Sequence, residues 1–288
     1  PSREATDYTC SSRSYDGHDG TDIRLPSIVA EASPLGVVRA AADGKVLRVR
    51  NDAVDVSVRE TGIAKVAGVE CGNGLVIAHR DGYETQYCHL AKGSVQPRPG
   101  DTVKAGQGIG QAGLSGASEF PHLHFTVRRD GATVDPFSLS SQSCSIEPVR
   151  LADSLWDPAL HEGLTYKAGT ILNSGFSDGP VTMAAIDAAT VANASGDPNA
   201  LVAWVRAIGL DEGDTQSFVL KGPEGTVLAE KTEPALARPR AQAMLFIGRK
   251  RPSIGWTPGT YSANYLVTRG GKVAVNHSLT IHLPKSTR

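Results

Sequence analysis

The stretch Leu75-Val76-Ile77-Ala78-His79-Arg80-Asp81-Gly82-Tyr83-Glu84-Thr85-Gln86-Tyr87-Cys88-His89-Leu90 decides the fold of the first half of the chain. An apolar run reaches Ala78, Asp81-Gly82 interrupts it, and an alternating run from Thr85 to Leu90 follows. Asp-Gly between two such runs is a hairpin signal. The pattern recurs at Asp130-Gly131, between His124-Phe125-Thr126-Val127-Arg128 and Ala132-Thr133-Val134. It recurs again at Asp43-Gly44, between Val37-Val38-Arg39-Ala40 and Lys45-Val46-Leu47-Arg48-Val49. Three Asp-Gly turns in one region predict an antiparallel sheet. The segment from Asn51 to Val69 lacks periodicity and reads as a long loop.

Strand signals return in the second half. Leu201–Arg206 is a strong β segment, and Ser217–Leu220 is joined to Thr226–Leu228 through the turn Gly222-Pro223-Glu224-Gly225. The run Gly259–Val267 alternates up to Gly270-Gly271, and Val273–Leu283 follows. Regular strands of this size suggest an immunoglobulin-like β-sandwich. The alanine-rich stretch Met183–Ala194 is compatible with a helix or with strands. The expected architecture is therefore all-β, with a first domain over 1–147, a linker region over 148–168 and a sandwich over 169–288. With 288 residues, two domains of ordinary size are expected.

Composition narrows the function classes. Lys+Arg is 29 and Asp+Glu is 30, so the basic footprint of a nucleic-acid protein is missing. The Arg249-Lys250-Arg251 cluster reads as a solvated loop. No apolar run is long enough to cross a bilayer as a helix. The chain begins at Pro1 with neither a Met nor a leader, which is read as a processed mature form. Four cysteines, Cys10, Cys71, Cys88 and Cys144, contain no C-x-x-C pair. Their even number suggests two disulfides and an exported protein, periplasmic or extracellular. Four cysteines allow three pairings; the preferred one joins Cys71 and Cys88, which flank the turn at Arg80-Asp81-Gly82, and Cys10–Cys144 would then tie the ends of the first domain.

Five of the eight histidines lie in the first domain: His18, His79, His89, His122 and His124. In Pro121-His122-Leu123-His124-Phe125 the period of two puts both imidazoles on one face and Leu123 and Phe125 on the other. In Gly17-His18-Asp19-Gly20-Thr21-Asp22 the glycines argue against a helix, and Asp22 shares a side with His18 if the chain bends at Gly20. Imidazole and carboxylate are both zinc ligands. His89, in Tyr87-Cys88-His89-Leu90, ends a strand and would read as structural if taken alone.

These three groups, in this order, resemble the lysostaphin/LytM-type zinc peptidases, the M23 metallopeptidase family. The glycines of Pro99-Gly100-Asp101-x-Val103 and Gly106-Gln107-x-Ile109-Gly110 match as well. The resemblance covers roughly residues 15–138 and implies a LytM-like antiparallel sheet with one Zn2+ held by His18, Asp22 and His124. It also implies His89 and His122 as two catalytic histidines beside the metal, with His79 structural. Three protein ligands leave one zinc position open, as hydrolysis requires. His122 and His89 would share two jobs, removing a proton from the attacking water and stabilising the developing charge; His122 is favoured as base because it shares a strand with His124.

The implied activity is endopeptidase cleavage of bacterial peptidoglycan peptides, with a stem-peptide bond preferred over a cross-bridge. The alternative is a latent or non-catalytic cell-wall regulator that keeps the same fold. In that reading residues 1–15 cover the groove, and Asp7, Asp16 or Asp19 adds a fourth ligand. The sandwich carries no catalytic constellation; it leaves room for a wall or protein partner, and Trp204 and Trp256 are expected to pack inside it.

Overall fold

A computed structural model describes residues 6–11, 13–139, 153–167 and 169–285. The chain divides into two compact units, one up to Leu164 and the other from Thr165 onward, with Asp187–Ala189 grouped with the first. Both units are built from antiparallel strands.

The first unit is a seven-stranded sheet. Its strands are β1 (Thr21–Arg24), β3 (Gly44–Arg50), β4 (Asn73–Ala78), β5 (Tyr83–Leu90), β6 (Thr102–Val103), β8 (His122–Arg129) and β9 (Ala132–Val134), where β2 (Val37–Arg39) and β7 (Gly108–Gln111) form a separate ribbon. The order across the sheet is β1-β8-β5-β4-β3-β6, with β9 also on β8. Two of the three expected hairpins are present, β4–β5 and β8–β9. Their turns hold Asp81 and Gly82 at φ 56° and 74°, and Asp130 and Gly131 at φ 51° and 83°. Positive φ at both central positions is the geometry that matches the twist of a two-residue hairpin.

The third hairpin does not form. β2 pairs with β7, about 70 residues away, while β3 pairs with β4 and β6. Asp43 instead serves as an acceptor, with its carboxylate taking the Ala105 N–H at 2.8 Å and the Lys104 ammonium at 2.8 Å. The segment from Asn51 to Val69 is more ordered than a plain loop. It contains a short helix, Val58–Thr61, started by the Ser57 hydroxyl on the Arg59 N–H, and a 3-10 turn, Ile63–Val66.

The core of this unit lies on one face, where Val46, Ile77, Tyr87, Leu90, Val103 and Ile109 are almost fully enclosed. Alternation along β8 sends Phe125 and Val127 into that core. His122, His124, Thr126 and Arg128 thereby share the opposite face. The Cys71–Cys88 disulfide is present, and Cys10 is also disulfide-bonded. Cys144, the expected partner of Cys10, lies outside the described residues.

The second unit has one sheet of β10 (Thr170–Ser177), β11 (Ala200–Leu210) and β14 (Arg240–Lys250). Its other sheet is ordered β13 (Val227–Thr232), β12 (Thr215–Lys221), β15 (Gly259–Arg269) and β16 (Lys272–Leu283). Leu201, Ala203, Val205, Leu245 and Ile247 from the first sheet share one core with Phe218, Leu220, Tyr261, Tyr265 and Val267 from the second. Met183–Asp187 is helical, and Ile186 packs with Val202 and Trp204 on the outer face of β11. Trp204 and Trp256 are both buried, and the Trp256 indole N–H donates to the Pro198 carbonyl at 2.7 Å. His277 is engaged with the Ser174 hydroxyl at 2.8 Å.

Candidate metal centre and active site

Strand pairing assembles the site. In the β1–β8 ladder Asp22 lies opposite His124, and Arg24 lies opposite His122. In the β5–β8 ladder Cys88 lies opposite His124. The next residue, His89, then leaves the ladder at φ 60°. Its N–H donates to the Cys71 carbonyl at 2.8 Å, and its carbonyl accepts the Gly113 N–H at 2.8 Å. A non-glycine residue in the left-handed region is uncommon, although His tolerates it better than most. The turn of backbone at His89 is thus held from both sides.

One donor atom each from His18, Asp22 and His124 lies within 4.8 Å of the others. Asp22 Oδ1 is 3.1 Å from His18 Nε2 and 2.9 Å from His124 Nδ1. A tetrahedral zinc with bonds of about 2.0–2.1 Å would space its ligand atoms roughly 3.3 Å apart. The spacing and the N,N,O donor set therefore fit a borderline cation such as zinc. Burial alone would raise the Asp22 carboxyl, but the hydrogen bonds to His124 and His18 and the charge of His122 hold it well below the usual carboxylate range. Burial pulls His124 down, yet Asp22 and Asp19 more than offset it and leave that imidazole raised.

His89 and His122 stand beside this trio, with ring centres 4.6 Å apart and side chains almost wholly enclosed. Each ring is oriented through Nδ1. His89 Nδ1 lies 2.8 Å from the Ser115 carbonyl, and His122 Nδ1 lies 2.8 Å from the Phe120 carbonyl, with the Ser118 hydroxyl at 3.1 Å. A carbonyl only accepts, so Nδ1 carries the proton in both rings and Nε2 keeps its lone pair. His122 Nε2 points toward Asp22 Oδ1, 3.6 Å away. Burial, reinforced by His122, holds His89 down at about 4. Burial also lowers His122, against the pull of Asp22. Near neutral pH both rings are uncharged proton acceptors.

Other parts of the site carry no clear mark in the sequence. The Ser115 and Phe120 carbonyls, which fix the two rings, are backbone atoms without a side-chain signature. Tyr15 stacks on His18 with ring centres 4.4 Å apart. Burial, then Asp22 and Asp19, push its hydroxyl up to about 12, so it stays protonated. Gly20 sits where a Cβ would lie 2.7 Å from His124 Nε2, so its lack of a side chain admits the His124 ring. Asp7, a candidate extra ligand, turns its carboxylate onto Thr9 and Ser11 of its own turn. Asp19 faces the far nitrogen of His124. His79 bridges the Asp43 carbonyl and the Thr85 hydroxyl, a structural arrangement.

With this geometry in view, residues 16–136 match peptidase family M23. This segment is an M23 peptidase domain. The M23 domain is 36% identical over 119 residues to the peptidoglycan DD-endopeptidase ShyB of Vibrio cholerae, covering 41% of this chain and 22% of that protein. It is 40% identical over 89 residues to the glycyl-glycine endopeptidase ALE-1 of Staphylococcus capitis, covering 31% of this chain and 20% of that protein. Among solved structures, a zinc containing peptidase from Vibrio cholerae is 34% identical, with a TM-score of 0.29 over 41% of this chain and 29% of that one. The matched part of the chain spans about a fifth of the length of these curated relatives. No helix among the described residues is long and apolar enough to cross a membrane.

Proposed function

We propose that the chain is an exported, zinc-dependent endopeptidase that cuts peptide bonds in bacterial peptidoglycan. The observation that carries this reading is the pair of buried imidazoles, His89 and His122, set with unprotonated Nε2 atoms beside a three-donor cluster. A structural zinc is normally closed by four protein ligands, whereas three ligands with proton acceptors alongside suit hydrolysis. His18, Asp22 and His124 would hold the zinc, which would supply Lewis acidity toward a carbonyl and a water.

The chain's own residues do the rest. His122 takes the proton of the attacking water on Nε2 and returns it to the departing amine nitrogen. Its Nδ1–H stays on the Phe120 carbonyl throughout, which keeps the ring in place. His89 accepts the second O–H of that water on Nε2, with its ring fixed by the Ser115 carbonyl. The M23 domain's relatives include a DD-endopeptidase and a glycyl-glycine endopeptidase. A stem-peptide bond is the preferred substrate here.

The domain boundaries belong to the same proposal: the peptidase over 1–147, a connecting region over 148–168 and an immunoglobulin-like sandwich over 169–288. The three-plus-four strand arrangement supports that last assignment, as does the Tyr261 hydroxyl, which donates to the Thr257 carbonyl four residues upstream.

The test combines metal content with peptidoglycan release before and after chelation. One zinc per chain, with release lost on chelation and restored by zinc, supports the proposal. Zinc bound without release would favour the latent regulator, and release unaffected by chelation would overturn the assignment.

A further inference from the structure

Asp19 lies one residue after His18 and is not in the donor cluster. Its two carboxylate oxygens do different things. Oδ1 lies 3.2 Å from His124 Nε2, the nitrogen turned away from Asp22. Oδ2 accepts from Arg128 Nη2 at 3.2 Å. Arg128 in turn donates through Nη1 to Gln86 Oε1 at 2.7 Å. The Gln86 amide nitrogen rests on both disulfide sulfurs, 3.3 Å from Cys71 Sγ and 3.1 Å from Cys88 Sγ. A continuous polar chain thus runs from the disulfide to the back of a metal ligand. Alternation along β8 explains its course, since His124, Thr126 and Arg128 share one face and Gln86 lies opposite Thr126.

We infer that Asp19 is a positioning residue for His124. It accepts the Nε2–H, which leaves the Nδ1 lone pair directed at the cation, and Arg128 and Gln86 hold the carboxylate in that orientation. The inference rests on the zinc-peptidase reading above and deepens it. A carboxylate behind a ligating imidazole fixes the tautomer and makes the ring a better donor, and loss of such a partner commonly weakens metal binding about 10–100-fold. Asp19 is half exposed, its side chain at 49%, which places the expected effect near the lower end. The Thr126 hydroxyl, 3.1 Å from the same nitrogen, is the competing acceptor. It is uncharged, and a neutral oxygen makes the weaker bond to an imidazole N–H.

The experiment measures zinc affinity of the full chain by competition with a chromophoric chelator, for wild type, Asp19→Asn and Thr126→Val. The thermal midpoint of each zinc-free protein is measured alongside. The expected result is roughly tenfold weaker zinc binding in Asp19→Asn, with an unchanged zinc-free midpoint and a smaller effect in Thr126→Val. Wild-type affinity retained in Asp19→Asn overturns the inference while leaving the peptidase reading intact. A matching fall in the zinc-free midpoint also overturns it, because the role would then be structural. An effect confined to Thr126→Val assigns the hydroxyl instead. Failure of the wild type to bind zinc would strike the peptidase reading itself.

Discussion

Asp22 Oδ1 lies 2.9 Å from His124 Nδ1 although the residues are 102 positions apart, because they face each other across the β1–β8 ladder. The carboxylate that this pairing places between His18 and His124 is held ionised. Asp22→Ala removes the only oxygen donor of the trio. Zinc content of the purified variant should fall from one per chain toward zero, with β1–β8 pairing preserved in circular dichroism. A variant that kept full zinc would displace Asp22 from the ligand set.

Under the proposed mechanism, substitutions at the two remaining histidines should separate metal binding from proton transfer. His122→Ala should lower turnover by about 10²–10⁴-fold, the scale expected for loss of a general base. His89→Ala should lower it by about 10²-fold. Both variants should retain zinc, since neither ring belongs to the donor cluster. Near-normal turnover in both, with zinc bound, would sink the mechanism.

The parts of this site that were legible in the sequence follow local rules. The period of two at His122 and His124 is a property of any strand, and Asp81-Gly82 and Asp130-Gly131 encode their own turns through positive φ. The pairing of β2 with β7 was hidden, because Asp43-Gly44 carries the same dipeptide but its flanking strands find distant partners. Strand pairing of that kind is decided by burial across the core rather than by the turn. Asp19 reads in the sequence as a candidate fourth ligand, and nothing in its neighbours signals that β8 brings His124 Nε2 and Arg128 to it.

Gly20 and Gly17 form a paired test of how tightly the first ligand loop is packed. A Cβ on Gly20 would lie 2.7 Å from both His124 Nε2 and the Phe125 carbonyl, so backbone or ligand must move. Overpacking of this kind costs about 1–3 kcal/mol. Gly17 has φ +78° with nothing within 4 Å of its Cβ position, so alanine there costs about 1–2 kcal/mol of backbone strain alone. Chelator titration should show weakened zinc binding in Gly20→Ala and near-normal binding in Gly17→Ala. Equal affinities would mean that the His124 ring is not seated against Gly20.

Glu31 gives the zinc-free protein a pH dependence. One of its carboxylate oxygens is enclosed without a hydrogen-bond partner among the described residues. Burial, followed by the charge of Asp55, pushes its pKa up from 4.5 to about 7. The folded state therefore binds the proton more tightly than the unfolded state. Its stabilising effect is complete at pH below the unfolded value and is lost as pH rises through about 7. Glu31→Gln removes the ionisation, so the variant should melt higher than wild type at about pH 8 and close to it at about pH 4. A midpoint difference that did not change with pH would show that Glu31 ionises as freely in the folded chain as in the unfolded one.

The disulfide braces the backbone on both sides of the His89 N–H bond. Cys88 is the neighbour of His89, and the Cys71 carbonyl accepts the His89 N–H at 2.8 Å. Bridging cysteines 17 residues apart stabilises a fold by roughly 3 kcal/mol in the chain-entropy account. Replacing both cysteines with serine should lower unfolding free energy by about that amount. Turnover should fall further than stability alone explains, because His89 sits at φ 60° and relaxes toward ordinary strand geometry once its clamp loosens. Zinc binding should weaken less than turnover, since His18, Asp22 and His124 lie on other segments and only the Gln86 end of the chain behind His124 rests on the sulfurs. Denaturant unfolding, zinc titration and peptidoglycan release on the same preparation separate these effects. Turnover that stayed at the wild-type level in folded, zinc-loaded double variant would show that β5 alone holds His89 in place.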